Sequence, residues 1–326
     1  MRRPTTRAVW LREFGPPEVL VMGEAPDPAP TEGEAVVAVE FSNITFVETQ
    51  VRSGHSPFPL PPGALPMIPG NGVGGVVAEV GTGVDEQLLG RRVVTGTGGQ
   101  GGYAERVAVD ARGLIQVPID LALDTAVALL ADGRTATALF RAAGVVRGER
   151  VLVEAAAGGV GSLLVQMAHA AGAVVIGAAG GQEKLELARD LGANFVADYR
   201  IQEWADAVRA DVGGVDVVFD GVGGEVGRAA FELVSPGGRL LSFGLASGSF
   251  TQVGDGEAEE HGVTLLRGVP VSPYEAVQLT HHALNEAVGG RLRAVIGQRF
   301  PLEDAAEAHR RIESRATLGK TLLVAS

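Results

Sequence analysis

Gly158-Gly159-Val160-Gly161 is the segment whose residue types and spacing most directly suggest chemistry. It follows a short apolar run, Val151-Leu152-Val153, and opens at once into an amphipathic stretch, residues 162–171. Strand, glycine turn and helix in that order set a helix N-terminus against a phosphate group. The glycines let the backbone turn tightly and come close, while free N–H groups and the helix dipole attract negative charge. Ala156 stands where the usual G-x-G-x-x-G has its first glycine, so the loop alone leaves an ordinary strand-to-helix turn open.

The elements needed to position such a loop follow it. Apolar runs at residues 173–177, 194–197, 215–220 and 238–244 alternate with helical patterns such as 183–191. Strands alternating with helices predict an α/β domain with a doubly wound parallel sheet and right-handed crossovers. Ligands of such sheets sit at the carboxyl ends of the strands. Four glycine-rich ends are expected there: Gly158 to Gly161, residues 177–181, residues 220–224 with Val222, and Ser242-Phe243-Gly244. Their convergence on one crevice predicts a dinucleotide cofactor.

The first part of the chain has another texture. Short β-like runs at 8–14, 19–22, 34–41, 73–80, 91–95, 103–109 and 114–117 are separated by turn residues, which suggests a small barrel-like β domain. Two helical patterns, 121–131 and 135–143, lead into the nucleotide domain. A long helix at 273–288, a strand at 295–300, a helix at 302–314 and a final strand at 321–324 close the chain. The expected domains are residues 1–124 with 269–326, the tail returning to the first part, and residues 125–268.

Composition narrows the classes. The 326 residues are 46% hydrophobic, enough for two cores, and the longest apolar stretches are broken well before about 18 residues, so no membrane span is expected. Residues 1–7 are basic but run into a strand-like segment rather than a signal-peptide core. With no cysteine there is no disulfide and no thiolate-bound zinc, and a cytoplasmic location is expected. A net charge of −12 opposes nucleic acid as the main partner. The 47 glycines show no fixed period and are expected in turns of an ordered chain. His281 and His282 are adjacent, so on a helix they point about 100° apart, and the other four histidines lack ligand spacing; no metal is expected.

Several segments together resemble the zinc-independent quinone oxidoreductase (zeta-crystallin-like) branch of the medium-chain dehydrogenase/reductases. They are Phe14-Gly15-Pro16-Pro17-Glu18-Val19-Leu20, Val51-Arg52-Ser53-Gly54, Gly101-Gly102-Tyr103-Ala104-Glu105, Ala155-Ala156-Ala157-Gly158-Gly159-Val160-Gly161, Ser242-Phe243-Gly244 and the closing Gly319-Lys320. The resemblance covers nearly the whole length. It implies a GroES-like barrel, a Rossmann domain, a cleft between them and a homodimer, for which residues 264–267 would be the paired sheet edge.

The second strand of the nucleotide domain ends in Gly177-Ala178-Ala179-Gly180-Gly181, with no carboxylate in the run to repel a 2′-phosphate. Glu183 is close, but first-turn acids also serve the helix dipole. The resemblance points to Lys184, Tyr199 and Arg315 as 2′-phosphate contacts, hence to NADPH, and to Asn71 and Thr135 as further cofactor contacts. Thr135 could equally start a helix.

The family's cleft segment corresponds to residues 42–50, and here the chain departs from it. Thr45 stands where relatives commonly have Asn, Glu48 where they have Asp, Gln50 where several have Tyr, and Gly72 where Glu is usual. Thr45 and Gln50 are the candidate polar groups beside an acceptor, with helix-cap and surface roles as the alternative. Tyr103 is read as a packed strand residue rather than a proton donor. The apolar stretches 57–69 and 265–270 suit either a hydrophobic acceptor or domain packing. The expected function is NADPH-dependent hydride delivery to a quinone or other conjugated carbonyl. The alternatives are an enoyl or alkenal double-bond reductase and a catalytically weak NADPH-binding regulatory protein.

Overall fold

A computed structural model of the protein describes residues 5–325, so residues 1–4 of the basic start lie outside it. The chain begins with strands β1 (Thr5–Leu11), β2 (Leu20–Pro26) and β3 (Glu34–Ile44), then helix α1 (Phe46–Ser53). Strands β4 (Gly72–Val80), β5 (Arg92–Gly96), β6 (Arg106–Asp110) and β7 (Ile115–Gln116) follow, and helix α2 (Leu123–Ala143) comes next. The middle alternates β8 (Arg150–Glu154), α3 (Gly159–Ala170), β9 (Val174–Ala179), α4 (Gln182–Asp190), β10 (Phe195–Asp198), α5 (Trp204–Val212), β11 (Val215–Asp220), α6 (Gly224–Phe231), β12 (Val234–Ser242), α7 (Asp255–Glu260) and β13 (Thr264–Arg267). Helix α8 (Pro273–Val288), β14 (Ile296–Pro301), α9 (Ala305–Glu313) and β15 (Lys320–Val324) end it.

Two compact units result, Met1–Ala131 with Ala294–Ser326, and Asp132–Arg293. The tail thus rejoins the first unit at residue 294, where the sequence boundary was 269. Helix α8 stays with the second unit because Gln166 of α3 donates to the Arg293 carbonyl at 2.9 Å and accepts its N–H at 2.8 Å. The two helical patterns at 121–131 and 135–143 prove to be one helix, α2. Gly133 does not break it, and the Thr137 hydroxyl donates to the Gly133 carbonyl at 2.7 Å within the same helix.

In the first unit a mainly antiparallel sheet runs β14-β15-β3-β4-β5-β7, with β6 also on β3 and a separate β1–β2 pair. Long β3 is shared by β4, β6 and β15, which draws the sheet around one core of Val37, Val39, Val73, Val93, Val107 and Leu323. Met67 of the 57–69 stretch joins that core, and the partly buried Leu65 and Ile68 pack against it. Phe58 of the same stretch is exposed.

In the second unit six parallel strands lie in the order β10-β9-β8-β11-β12-β13. This is the doubly wound arrangement that the alternation of runs predicts, with the strand order reversing between β8 and β11. Both of those strands are buried on both faces, as near-continuous apolar runs require. Among the described residues β13 pairs only with β12 and forms the sheet edge.

Candidate functional site

The turn after β8 is built by close backbone approach. Ala155 takes a left-handed conformation, φ 46°, and Gly158 donates back to the Ala155 carbonyl at 2.7 Å. A Cβ on Gly161 would lie 2.2 Å from that same carbonyl oxygen, so α3 rests directly on the turn. Gly158 is the N-cap of α3, and the first N–H groups of a helix have no intrahelical partner. Gly159 is required for another reason: a Cβ there would lie 1.9 Å from Oδ2 of Asp132 in α2. Asp132 is buried against the first turn of α3, and no motif in the sequence marks it. Gly161→Ala is expected to weaken dinucleotide binding at least tenfold and to cost about 1–3 kcal/mol from overpacking. Fluorescence titration with the cofactor and urea unfolding would measure the two effects.

Across the reversal point, the ends of β8 and β11 carry two fully buried acids, Glu154 and Asp220. Glu154 Oε2 accepts the Val222 N–H at 3.0 Å. Asp220 accepts the Gly223 N–H at 2.8 Å and the Thr251 hydroxyl at 2.6 Å. Burial, followed by the neighbouring charge of Asp220, pushes the Glu154 carboxyl well above the ordinary range. The two carboxyls together fasten the 221–223 turn through the Val222 and Gly223 N–H groups. Phe243 and Gly244 donate to the Asp220 carbonyl at 3.0 and 3.2 Å, and a Gly244 Cβ would lie 2.3 Å from the Gly221 oxygen. Val222, Ser242, Phe243 and Gly244 are thus gathered at the ends of β11 and β12, and the buried Ser242 Oγ has no hydrogen-bond partner among the described residues.

At the end of β9, Gly181 is the N-cap of α4 with φ 102°, and Lys184 lies in the first turn of that helix. The Tyr199 ring comes within 3.3 Å of a Cβ placed on Gly180, and the Arg200 guanidinium within 3.2 Å of one placed on Gly181. Lys184 and Tyr199 are therefore brought to one turn, joined by Arg200, which no sequence motif marks. The run from Gly177 to Gly181 carries no carboxylate, but β10 brings one to it: Asp198 accepts the Gly181 N–H at 3.2 Å. Arg200 engages both Asp198 oxygens, at 2.9 and 2.6 Å, and holds the carboxyl below its usual range. Its charge is thereby matched by a guanidinium on the turn itself. Thr135 lies inside α2 and does not start a helix.

The remaining candidates belong to the first unit. Thr45 is the N-cap of α1, and its N–H and hydroxyl donate to Glu48 Oε2 at 2.6 and 2.9 Å. Gln50 lies further along the helix with a buried, unpartnered Oε1. The Asn71 carbonyl accepts the Thr97 N–H at 3.1 Å in the turn before β4. Arg315, φ 58°, stacks over the Phe46 ring at 4.3 Å. Asn43 is fully buried with neither side-chain atom partnered, and its Nδ2 is 3.3 Å from a Cβ placed on Gly72. Tyr103 is fully buried, as a packed residue should be, yet its hydroxyl meets His309 Nε2 at 3.0 Å. Among the described residues no group of three or more His, Asp or Glu could hold a metal ion, and no helix is long and apolar enough to cross a membrane.

Comparison with known proteins places these features in context. Residues 31–119 match the family model of the alcohol dehydrogenase GroES-like domain, and residues 159–266 that of the zinc-binding dehydrogenases. The chain is 34% identical to a quinone oxidoreductase of Salmonella typhimurium, over 97% of this chain and 98% of the relative. It is 33% identical to a 2-haloacrylate reductase of a Burkholderia species, over the same shares. Its fold is similar to the structure of Escherichia coli quinone oxidoreductase complexed with NADPH, with a TM-score of 0.90 and 30% identity, covering 98% of this chain and all of the other.

Proposed function

The chain belongs to the quinone oxidoreductase family of the medium-chain dehydrogenase/reductases, and from that premise we propose that it is an NADPH-dependent reductase of quinones or other conjugated carbonyl compounds. The observation that carries this reading is the convergence of glycine-built strand ends at the β8/β11 reversal, together with Tyr199, Lys184 and Arg200 at the Gly180-Gly181 turn. The residues fit the group: a helix N-terminus for the pyrophosphate, and a hydroxyl, an ammonium and a guanidinium for the 2′-phosphate. Arg315 is the further phosphate contact, and Asn71 and Thr135 complete the cofactor set. Bound NADPH supplies a hydride to an electron-poor carbon of the acceptor.

The chain's own residues have the remaining tasks. Thr45 and Gln50 orient the acceptor by hydrogen bonds to its carbonyl oxygen, where negative charge develops. The sequence holds no cysteine to bind zinc as a thiolate, and we read the hydride transfer as metal-free. Similarity to a 2-haloacrylate reductase favours including conjugated alkenes beside quinones in the acceptor class. We read β13 as the edge along which two copies pair.

Oxidation of NADPH, followed by absorbance with quinone and 2-alkenal panels and with NADH in parallel, tests the reading. Turnover at least tenfold better with NADPH than with NADH is expected. Tight NADPH binding without turnover of any acceptor would instead make the chain a cofactor-binding protein.

A further inference from the structure

Glu48 is a carboxyl group that the fold buries and connects to a partly exposed hydroxyl. It lies on α1, and only 7% of its surface reaches solvent. Both the N–H and the hydroxyl of Thr45 reach its Oε2. Behind it lies the Tyr103 hydroxyl, which meets His309 Nε2 at 3.0 Å, while Glu48 Oε1 is buried with no hydrogen-bond partner among the described residues. Burial pushes the Glu48 carboxyl above its ordinary value, opposed by the Thr45 hydrogen bonds, by the charge of Lys320 from β15 and by Tyr103.

The other charged groups nearby are committed elsewhere. Arg52, on the same helix, bonds Glu313 of α9 and the carbonyls of Gly15 and Thr49. His309, also from α9, is kept neutral by burial. Glu18 accepts from Arg310 at 2.6 Å and feels the charge of Arg52. A carboxyl with a raised affinity for its proton, one hydroxyl away from the partly exposed N-cap of α1, has the form of a general acid.

We propose that Glu48 supplies the proton of the reduction and that the Thr45 hydroxyl hands it to the oxygen of the reduced acceptor. The proposal rests on the reading that Thr45 meets the acceptor. The electron pair arrives with the hydride, leaving negative charge on the acceptor oxygen as an enolate or hydroquinone anion. The Thr45 O–H bond breaks as its proton bonds that oxygen, and the Glu48 O–H bond breaks as its proton bonds Thr45 Oγ1. A neutral product and a Glu48 carboxylate result. Water restores the proton through the same hydroxyl once the product has left. In the carboxylate state Thr45 donates to Glu48; in the acid state the bond reverses direction over the same 2.9 Å.

Glu48→Gln keeps an oxygen for the Thr45 N–H but has no acidic proton. It is expected to lower kcat about 100-fold, the ordinary scale of general acid catalysis, and to remove the alkaline fall of the kcat–pH profile. NADPH affinity should change less than twofold. Thr45→Ser should keep the rate within threefold, while Thr45→Val should match Glu48→Gln. A uniform loss at every pH with the alkaline fall retained, or a Thr45→Val enzyme as fast as wild type, would overturn the relay. Infrared difference spectra of the cofactor-free protein, wild type minus Glu48→Gln, separate this idea from the assignment of function. A protonated carboxyl band titrating above the ordinary Glu range is expected whether or not any acceptor is turned over, and its absence overturns the proposal by itself.

Discussion

Gly180→Asp is expected to reverse the cofactor preference, weakening NADPH by about 100-fold, or close to 3 kcal/mol, while leaving NADH binding equal or tighter. The physical reason lies in the turn after β9. A Cβ at residue 180 points between the Tyr199 ring and the aliphatic stem of Arg200, 3.3 Å from each. Both are partly exposed or exposed side chains that can shift by a few tenths of an ångström. The new carboxylate would draw on the Arg200 guanidinium, already shared with Asp198, and would repel the dianionic 2′-phosphate. With NADH it would instead accept hydrogen bonds from the ribose hydroxyls. Lys184→Ala makes the useful control, because it should lower NADPH affinity by roughly tenfold without any gain for NADH. Titration of both cofactors against the two variants reads the result. An unchanged NADPH/NADH ratio in Gly180→Asp would mean that the 2′-phosphate is not held at this turn.

The role of this turn was legible in part. The run Gly177 to Gly181 could be placed at a strand end because β9 is apolar on both faces, and the ordering of the six parallel strands followed from alternation. Asp198 and Arg200 were not visible, because they come from the end of β10 and the turn after it and face Gly181 only through the parallel pairing of β9 with β10. The same holds for Glu154 and Asp220, which are 66 residues apart and meet because β8 and β11 are neighbours at the reversal point. An acidic residue closing an apolar strand was the available signal in both cases. Helix α2 failed to show as one element because Asp132-Gly133-Arg134 reads as a break in an exposed helix. In a largely buried helix, packing outweighs the roughly 1 kcal/mol penalty of glycine.

The least legible feature is the polar set around Glu48. Tyr103 and His309 are 206 residues apart, and nothing near either in sequence marks a buried hydroxyl–imidazole contact. The capping relation between Thr45 and Glu48, by contrast, is written in the spacing of the two residues. Reading Thr45 as a cap or as an acceptor contact looked like a choice between structure and chemistry. The proposed relay makes the two roles compatible, since the hydrogen bond that closes the helix end is also the path for the proton.

His309 should make the protein lose stability in acid, and His309→Gln should remove that loss. The imidazole is fully buried, its Nε2 on the Tyr103 hydroxyl and its Nδ1 without a partner. Burial, aided by the Arg52 charge, pulls its pKa from 6.5 down to about 3. The unfolded chain therefore binds a proton at this residue below pH 6.5 that the folded chain refuses until about pH 3. Stability contributed by the neutral ring is complete above pH 6.5 and drains away as the pH falls through that window, by on the order of 4–5 kcal/mol in all. Glu48 and Glu154 act with the opposite sign. Their raised folded values mean that their contribution is complete below the unfolded value of 4.5 and is lost as the pH rises through the folded ones. On acidification they offset His309 down to about pH 4.5, and the steep loss falls below it. Glutamine can keep one hydrogen bond to Tyr103 and does not titrate, so the variant should be within about 1 kcal/mol of wild type at pH 7. By pH 4 the difference should have moved about 3 kcal/mol in favour of His309→Gln. Urea unfolding at the two pH values measures this directly, and parallel curves for variant and wild type would mean that residue 309 takes up its proton as easily in the fold as outside it.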